Sequence, residues 1–103
     1  MKPLFWTKEA EDTYLEVVDF LLQTWGQSVL EKFEELLDHR IANLQKTPLI
    51  GKSIPGTFYR QLLIHKHVSV FYRDYEKHIL LLAVWDVRQN PTKLTEILVK
   101  HRS

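Results

Sequence analysis

The chain has 103 residues, 45% of them hydrophobic and 26% charged, the balance of one globular domain spanning residues 1–103 rather than of a disordered tail. It contains no cysteine, which excludes a disulfide framework and a thiolate metal site, and no apolar run approaches the ~20 residues that a bilayer span needs. Net charge is +1 but unevenly spread: residues 1–51 carry five Lys/Arg against nine Asp/Glu, and residues 52–103 carry nine against four, so one surface is expected to be positive.

Lys2 to Trp6 reads as a short strand with both faces covered. Lys8, Glu9 and Glu11 stand where a signal peptide would be apolar, so no secretory signal is expected and a reducing cytoplasm fits. Thr7 is placed as a helix N-cap. Ala10, Tyr14, Val17, Leu21 and Trp25 then recur at helical spacing, predicting a helix from Lys8 to Trp25 that stops at Gly26. Ser28-Val29-Leu30-Glu31 has the form of a capping box for a second helix, carried on by Val29, Phe33, Leu36, Leu37, Ile41 and Leu44 and ended by Thr47-Pro48. So few residues separate the two helices that they should form an antiparallel hairpin.

Leu49 to Thr57 is a loop marked by Gly51, Pro55 and Gly56, after which the apolar period changes from 3.6 to 2. Phe58–His65, Val68–Tyr75 and His78–Val87 are predicted as three strands of an antiparallel meander. The run from Ile79 to Trp85 is apolar at both parities, which suits a central strand. Asn90-Pro91 opens a short final helix through Leu94, Ile97 and Leu98 that ends in Lys100, His101 and Arg102. The order β-α-α-β-β-β-α gives class α+β: a helical hairpin packed on a mainly antiparallel β-sheet. Trp25, Phe33, Leu37, Leu81 and Ala83 should be buried between the layers.

No phosphate-binding glycine loop and no Gly-x-Ser-x-Gly elbow is present. His65-Lys66-His67 is the one close histidine pair; it straddles a turn and has no carboxylate nearby in sequence, so no metal and no cofactor are expected. Arg60, Arg73 and Arg88 fall on neighbouring strands among Tyr59, Tyr72, Tyr75 and Trp85. That pattern suits either a surface for phosphate and stacked bases or a partner surface. The alternative is that each arginine pairs with a nearby carboxylate and holds the fold. Arg88 ends an apolar strand just before a capped helix, a place where functional groups are anchored.

Several segments together, in their order and spacing, resemble the RelE/ParE superfamily of toxins from bacterial type II toxin–antitoxin systems, the plasmid stabilisation type. They are the helical hairpin, Thr47-Pro48-Leu49-Ile50-Gly51, Phe58-Tyr59-Arg60-Gln61-Leu62, Val70-Phe71-Tyr72-Arg73, and Trp85-Asp86-Val87-Arg88-Gln89-Asn90-Pro91. The resemblance covers nearly the whole chain. It implies a growth inhibitor neutralised by a cognate acidic antitoxin. RelE-like members are metal-independent ribonucleases (mRNA interferases) that cleave mRNA on the ribosome, whereas ParE-like members inhibit DNA gyrase. A non-toxic relative that keeps only the antitoxin-binding scaffold is the third alternative.

In the RelE-like pattern, Arg60 matches the first basic position and Arg88 the arginine at the end of the last strand. The second basic position falls on Leu62, an early arginine of the next strand on Val68, and a terminal tyrosine on Leu94. Histidines serve in some RelE-like members, which keeps His65 and His67 as candidates. In that chemistry the RNA 2′-hydroxyl attacks the adjacent phosphorus. The protein then supplies a base, an acid for the leaving 5′-oxygen, and cations for the added phosphate charge. Histidine is the residue type suited to those proton transfers near neutral pH. A gyrase inhibitor needs only a binding surface, with the arginines serving binding or the fold.

Overall fold

The computed structural model describes residues 1–101. Along the chain lie β1 (Leu4–Trp6), α1 (Lys8–Trp25), α2 (Gln27–Lys46), β2 (Lys52–Ser53), β3 (Tyr59–His65), β4 (Val68–Asp74), β5 (Ile79–Asp86) and α3 (Pro91–Val99). The five strands form one sheet in the order β1-β5-β4-β3-β2. β3, β4 and β5 are the antiparallel meander, and β1 joins β5 in parallel. This is the α+β arrangement expected from the change of period. Of the basic C-terminal run, Arg102 lies outside the described residues.

Thr7 caps α1 and also fastens it to the sheet. Its Oγ1 accepts from the Ala10 N–H at 3.0 Å and donates to the Leu81 carbonyl at 2.9 Å. Gly26 ends α1 with φ +92°, its N–H donating to the carbonyls of Leu21 and Leu22. That backbone conformation turns the chain within a single residue. As a result α2 starts at Gln27, Ser28 lies inside the helix, and the expected capping box does not form. Further along α2, Arg40 donates to the Leu63 carbonyl of β3 from Nε and Nη2, at 3.2 and 3.0 Å.

The hairpin packs Val17, Leu21, Phe33 and Leu37 on one face of the sheet, against Leu62, Val70, Tyr72, Ile79, Leu81 and Val84. The other face carries Phe71, Ala83 and Trp85 under Ile97, Leu94 and Leu98 of α3, with Ile54 alongside. Cover on both faces is why β5 is apolar at both parities. Ala83 is buried, but under α3 rather than between the sheet and the hairpin as parity predicted. The cause is a bulge: Phe71 pairs with Ala83 and Tyr72 with Leu81, leaving Leu82 as an extra residue. Beyond it the side-chain alternation is reversed, so Leu81 and Val84 share the helix face.

Two residues past the bulge, β5 has a partner in α1. The Val84 N–H donates to the buried Thr13 Oγ1 at 3.0 Å, and that hydroxyl donates in turn to the Glu9 carbonyl at 2.7 Å.

Two further expectations are corrected. Trp25 is 66% exposed, because the buried stripe of α1 ends at Leu21 and its last turn overhangs the β3–β4 end of the sheet. Phe5 is also exposed, so only the hairpin side of β1 is covered. Within the predicted 49–57 loop, Lys52 and Ser53 form a short edge strand against Gln61 and Arg60.

Replacing Thr13 by Val keeps the shape and removes the acceptor for the buried Val84 N–H. The expected loss is about 1–3 kcal/mol of unfolding free energy, read by urea denaturation with an unchanged slope. Thr13→Ser keeps the hydroxyl and should lose less; a loss in Thr13→Ser with none in Thr13→Val would place the effect in the methyl group instead.

Candidate functional site

The sequence candidates separate into three groups in space. His65, His67 and Arg88 come together at one end of the sheet. His65 closes β3, His67 lies in the turn before β4, and Arg88 follows β5, where Val68 pairs with Asp86. Between His65 and His67, Lys66 takes φ +49°, a backbone conformation that costs energy in a residue with a side chain. The Val87 N–H donates to the His67 carbonyl at 2.8 Å and locks the turn to the end of β5. These residues rim a cavity of about 270 Å³ whose floor includes Phe20, Leu21 and Trp25 of α1. The cavity therefore joins an apolar floor to a cationic edge.

Arg88 is committed at this edge. Its Nε and Nη2 donate to Asp86 Oδ1 and Oδ2 at 3.1 and 2.8 Å, and its backbone N–H donates to Oδ1 at 2.9 Å. The Asp86 side chain is 7% exposed and that of Arg88 is 59% exposed. Hydrogen bonds from Arg88 hold the Asp86 carboxyl below its ordinary range, against the opposing effect of burial; His67 adds a small pull in the same direction. The pairing raises the guanidinium further above its already high value, so the pair stays ionised. Nη1 of Arg88 makes no hydrogen bond among the described residues.

Arg60 and Tyr72 form a second group, away from that cavity. Arg60 Nη1 donates to the Gly51 carbonyl at 2.8 Å and more weakly to that of Leu49 at 3.4 Å. Tyr72 is fully buried; its hydroxyl donates to the Pro48 carbonyl at 2.7 Å and accepts from the Gly51 N–H at 2.9 Å. Burial raises the Tyr72 pKa. A Cβ at position 51 would lie 2.5 Å from that hydroxyl, which is why glycine stands there. Together these two side chains fasten the loop between α2 and β2, and Tyr72 presents no surface to a ligand.

The third group is Tyr59 and Arg73. Tyr59 is buried and donates its hydroxyl hydrogen to the Leu98 carbonyl. Arg73 lies over the rings of Phe58 and Tyr75, at 4.9 and 4.5 Å from their centres, and donates to the His101 carbonyl at 3.2 Å. Both hold the end of α3. Among the described residues there is no cluster of three or more His, Cys, Asp or Glu side chains able to hold a metal ion.

Sequence reasoning missed Phe20, Trp25 and Asp86 as parts of the cavity. Asp86 had a usable signal, its position two residues before Arg88. Trp25 continued the core stripe by spacing, so nothing in the pattern marked it as exposed.

The profile of a family described as "ParE toxin of type II toxin-antitoxin system, parDE" matches residues 4–91. The chain belongs to the ParE toxin family. It is the toxin component of a type II toxin–antitoxin system, and an antitoxin is its cognate partner. The fold is similar to a solved chain from a chromosomal ParDE toxin–antitoxin system of P. aeruginosa, with TM-score 0.68 and 23% identity over 84% of this chain and 97% of that one. It is also similar to a YoeB/ParE toxin from Agrobacterium tumefaciens, with TM-score 0.56 and 20% identity over 80% of this chain and 94% of that one. No curated protein matches the chain. Among the described residues of this ParE-family toxin, no helix is long and apolar enough to cross a membrane.

The Asp86–Arg88 clamp predicts a pH-dependent contribution to stability. A carboxyl whose folded pKa is depressed stabilises the fold above its unfolded value and loses that contribution as pH falls through the folded one. Arg88→Met should therefore melt below wild type at neutral pH, and the gap should close as pH falls below about 4. Thermal melts across that range read the effect. A gap that stays constant would show that Arg88 acts through packing rather than through Asp86.

Proposed function

We propose that this toxin acts in the cytoplasm by binding and inhibiting DNA gyrase, without being an enzyme itself, and that an acidic antitoxin neutralises it. The observation that carries this reading is the commitment of its cations. Arg60 is bound to loop carbonyls, and Arg88 is clamped to a buried carboxylate. An RNA-cleaving site needs positive charge directed at the extra charge that develops on phosphorus. Here the carboxylate beside Arg88 offsets much of its field, and Arg60 is directed at backbone. A binding toxin needs only a shaped surface, and membership of the ParE family supports that reading. The excess of Lys and Arg in the second half of the chain favours an acidic neutralising partner.

One observation favours a second reading, cleavage of mRNA on the ribosome. His65, His67 and Arg88 line the same cavity, which sets two possible proton carriers beside a cation.

Purified toxin in a gyrase supercoiling assay, alongside mapping of mRNA 5′ ends after brief induction, separates the two. Inhibited supercoiling with unchanged mRNA ends is the expected result. New ends dependent on His65, His67 and Arg88 would select the nuclease instead, once alanine variants of each are shown to be folded. Normal growth with neither effect would identify a non-toxic scaffold. Co-expression of the small protein encoded beside the toxin should restore growth.

A further inference from the structure

The cavity between the end of α1 and the β3–β4 turn holds about 270 Å³, room for one small molecule. Its walls are chemically divided. Phe20, Leu21 and Trp25 of α1, with Val29 and Val68, form an apolar floor. Phe20 and Trp25 are 40% and 66% exposed, so much of their ring surface is left open by the chain itself. The rim opposite carries His65, Lys66, His67, Arg88 and Gln89. The turn holding Lys66 is fixed in place. Its φ of +49° costs energy, and the Val87 N–H bond to the His67 carbonyl ties it to the end of β5. Strain retained beside a cavity is a mark of a pre-organised site.

Charge decides what can lie there. Among the described residues Asp86 is the one carboxylate lining the cavity, and Arg88 already pairs with it. Lys66 has no ion pair and no hydrogen-bond partner among the described residues. Lys66 and Arg88 against Asp86 leave the lining one net positive charge, beside two imidazoles able to donate hydrogen bonds. Val29 stands in the first turn of α2, a helix that begins without a side-chain cap, and such a turn adds a positive potential. One positive charge over an apolar floor matches a singly charged carboxylate with an apolar body. A phosphate monoester, with nearly two charges at neutral pH, would be left partly uncompensated beside Asp86. A cation would meet Lys66 and Arg88 directly. The cavity beside β1 cannot take the same ligand, because Glu11, Glu34 and Asp38 line it.

We infer that the cavity binds a small amphipathic carboxylate, its aromatic or branched aliphatic body on Phe20, Leu21 and Trp25 and its charge at Lys66 and Nη1 of Arg88. The inference does not depend on whether the toxin acts on gyrase or on mRNA.

The test titrates the full chain with 3-phenylpropionate and follows amide and indole NMR shifts. Binding with a Kd of about 1 mM or tighter is expected. The shifts should cluster on residues 20–29, 65–68 and 86–89, a readout that needs no variant to fold. Three relatives each remove one feature: 3-phenylpropionamide lacks the charge, acetate lacks the body, and 3-phenylpropylamine reverses the charge. Each should bind at least about tenfold more weakly, and inorganic phosphate should also bind more weakly. Added salt should weaken 3-phenylpropionate. Lys66→Gln and Trp25→Ser should each weaken it by about threefold or more with an unchanged melting temperature, because both side chains are exposed. Lys66→Arg should keep the affinity. The inference is overturned if 3-phenylpropionate does not bind at about 10 mM, if the amide or phosphate binds as tightly, or if the shifts fall elsewhere. It is equally overturned if either Lys66→Gln or Trp25→Ser, shown to be folded, binds as wild type does.

Discussion

The hydrogen bond from the Val84 N–H to Thr13 Oγ1 ties β5, two residues past its bulge, to the helix above it. β1 pairs with β5 only as far as Leu81, so the buried Val84 N–H finds its acceptor in Thr13 rather than in a neighbouring strand. The bulge itself lies just before, at Leu82. It reverses the alternation of β5, so that Leu81 and Val84 feed the hairpin core while Ala83 and Trp85 feed the smaller core under α3. Thr7 acts on the same strand one step earlier, through the Leu81 carbonyl. α1 is thus registered to β5 by two hydroxyl groups six residues apart in sequence. The second core is the less complete of the two, for its Trp85 Nε1–H is buried without a hydrogen-bond partner among the described residues.

That registration carries through to the end of the sheet that holds His65, His67 and Arg88. β5 delivers Asp86 buried, and a buried carboxylate requires nearby donors. Arg88 supplies three, one from its backbone and two from its side chain. An arginine that satisfies a buried acid is held rigidly and keeps only part of its field for a ligand. The same residue can therefore stand at the strand end of a toxin that works by binding and contribute shape and rigidity there. In a ribonuclease at this position, the substrate phosphate would have to compete with Asp86 for the guanidinium.

Periodicity made most of the architecture readable. The stripe from Ala10 to Leu21, the stripe from Phe33 to Leu44 and the alternation after Gly56 each record which face is buried, and burial acts on every residue of an element. What stayed hidden depends on single residues or on distant ones. Gly26 turns the chain at once, and only its positive φ shows that Ser28 has no capping role. The Leu82 bulge is a property of two strands paired together, so no pattern within β5 could place Ala83 under α3. At the site, the grouping of His65, His67 and Arg88 followed from strand ends that the meander brings together. The employment of Arg60 and Tyr72 by the loop at Pro48–Gly51 did not, because carbonyl acceptors belong to the backbone and leave no mark in residue type.

The separation of charge along the chain then takes on a spatial meaning. Most of the acidic first half is the hairpin, and most of the basic second half is the meander with α3. Each helix of the hairpin turns one face to the sheet, so most of its carboxylates are carried on the outer surface. The basic residues lie toward the strand ends and α3, where several are fastened to carbonyls or carboxylates of the chain itself. Opposite potentials on two sides of a small domain steer oppositely charged partners to different places, and each side repels the other's partner. A toxin that must be held by an antitoxin and also engage a target gains from such a division. Two partners that recognise different signs of charge need not contend for the same surface.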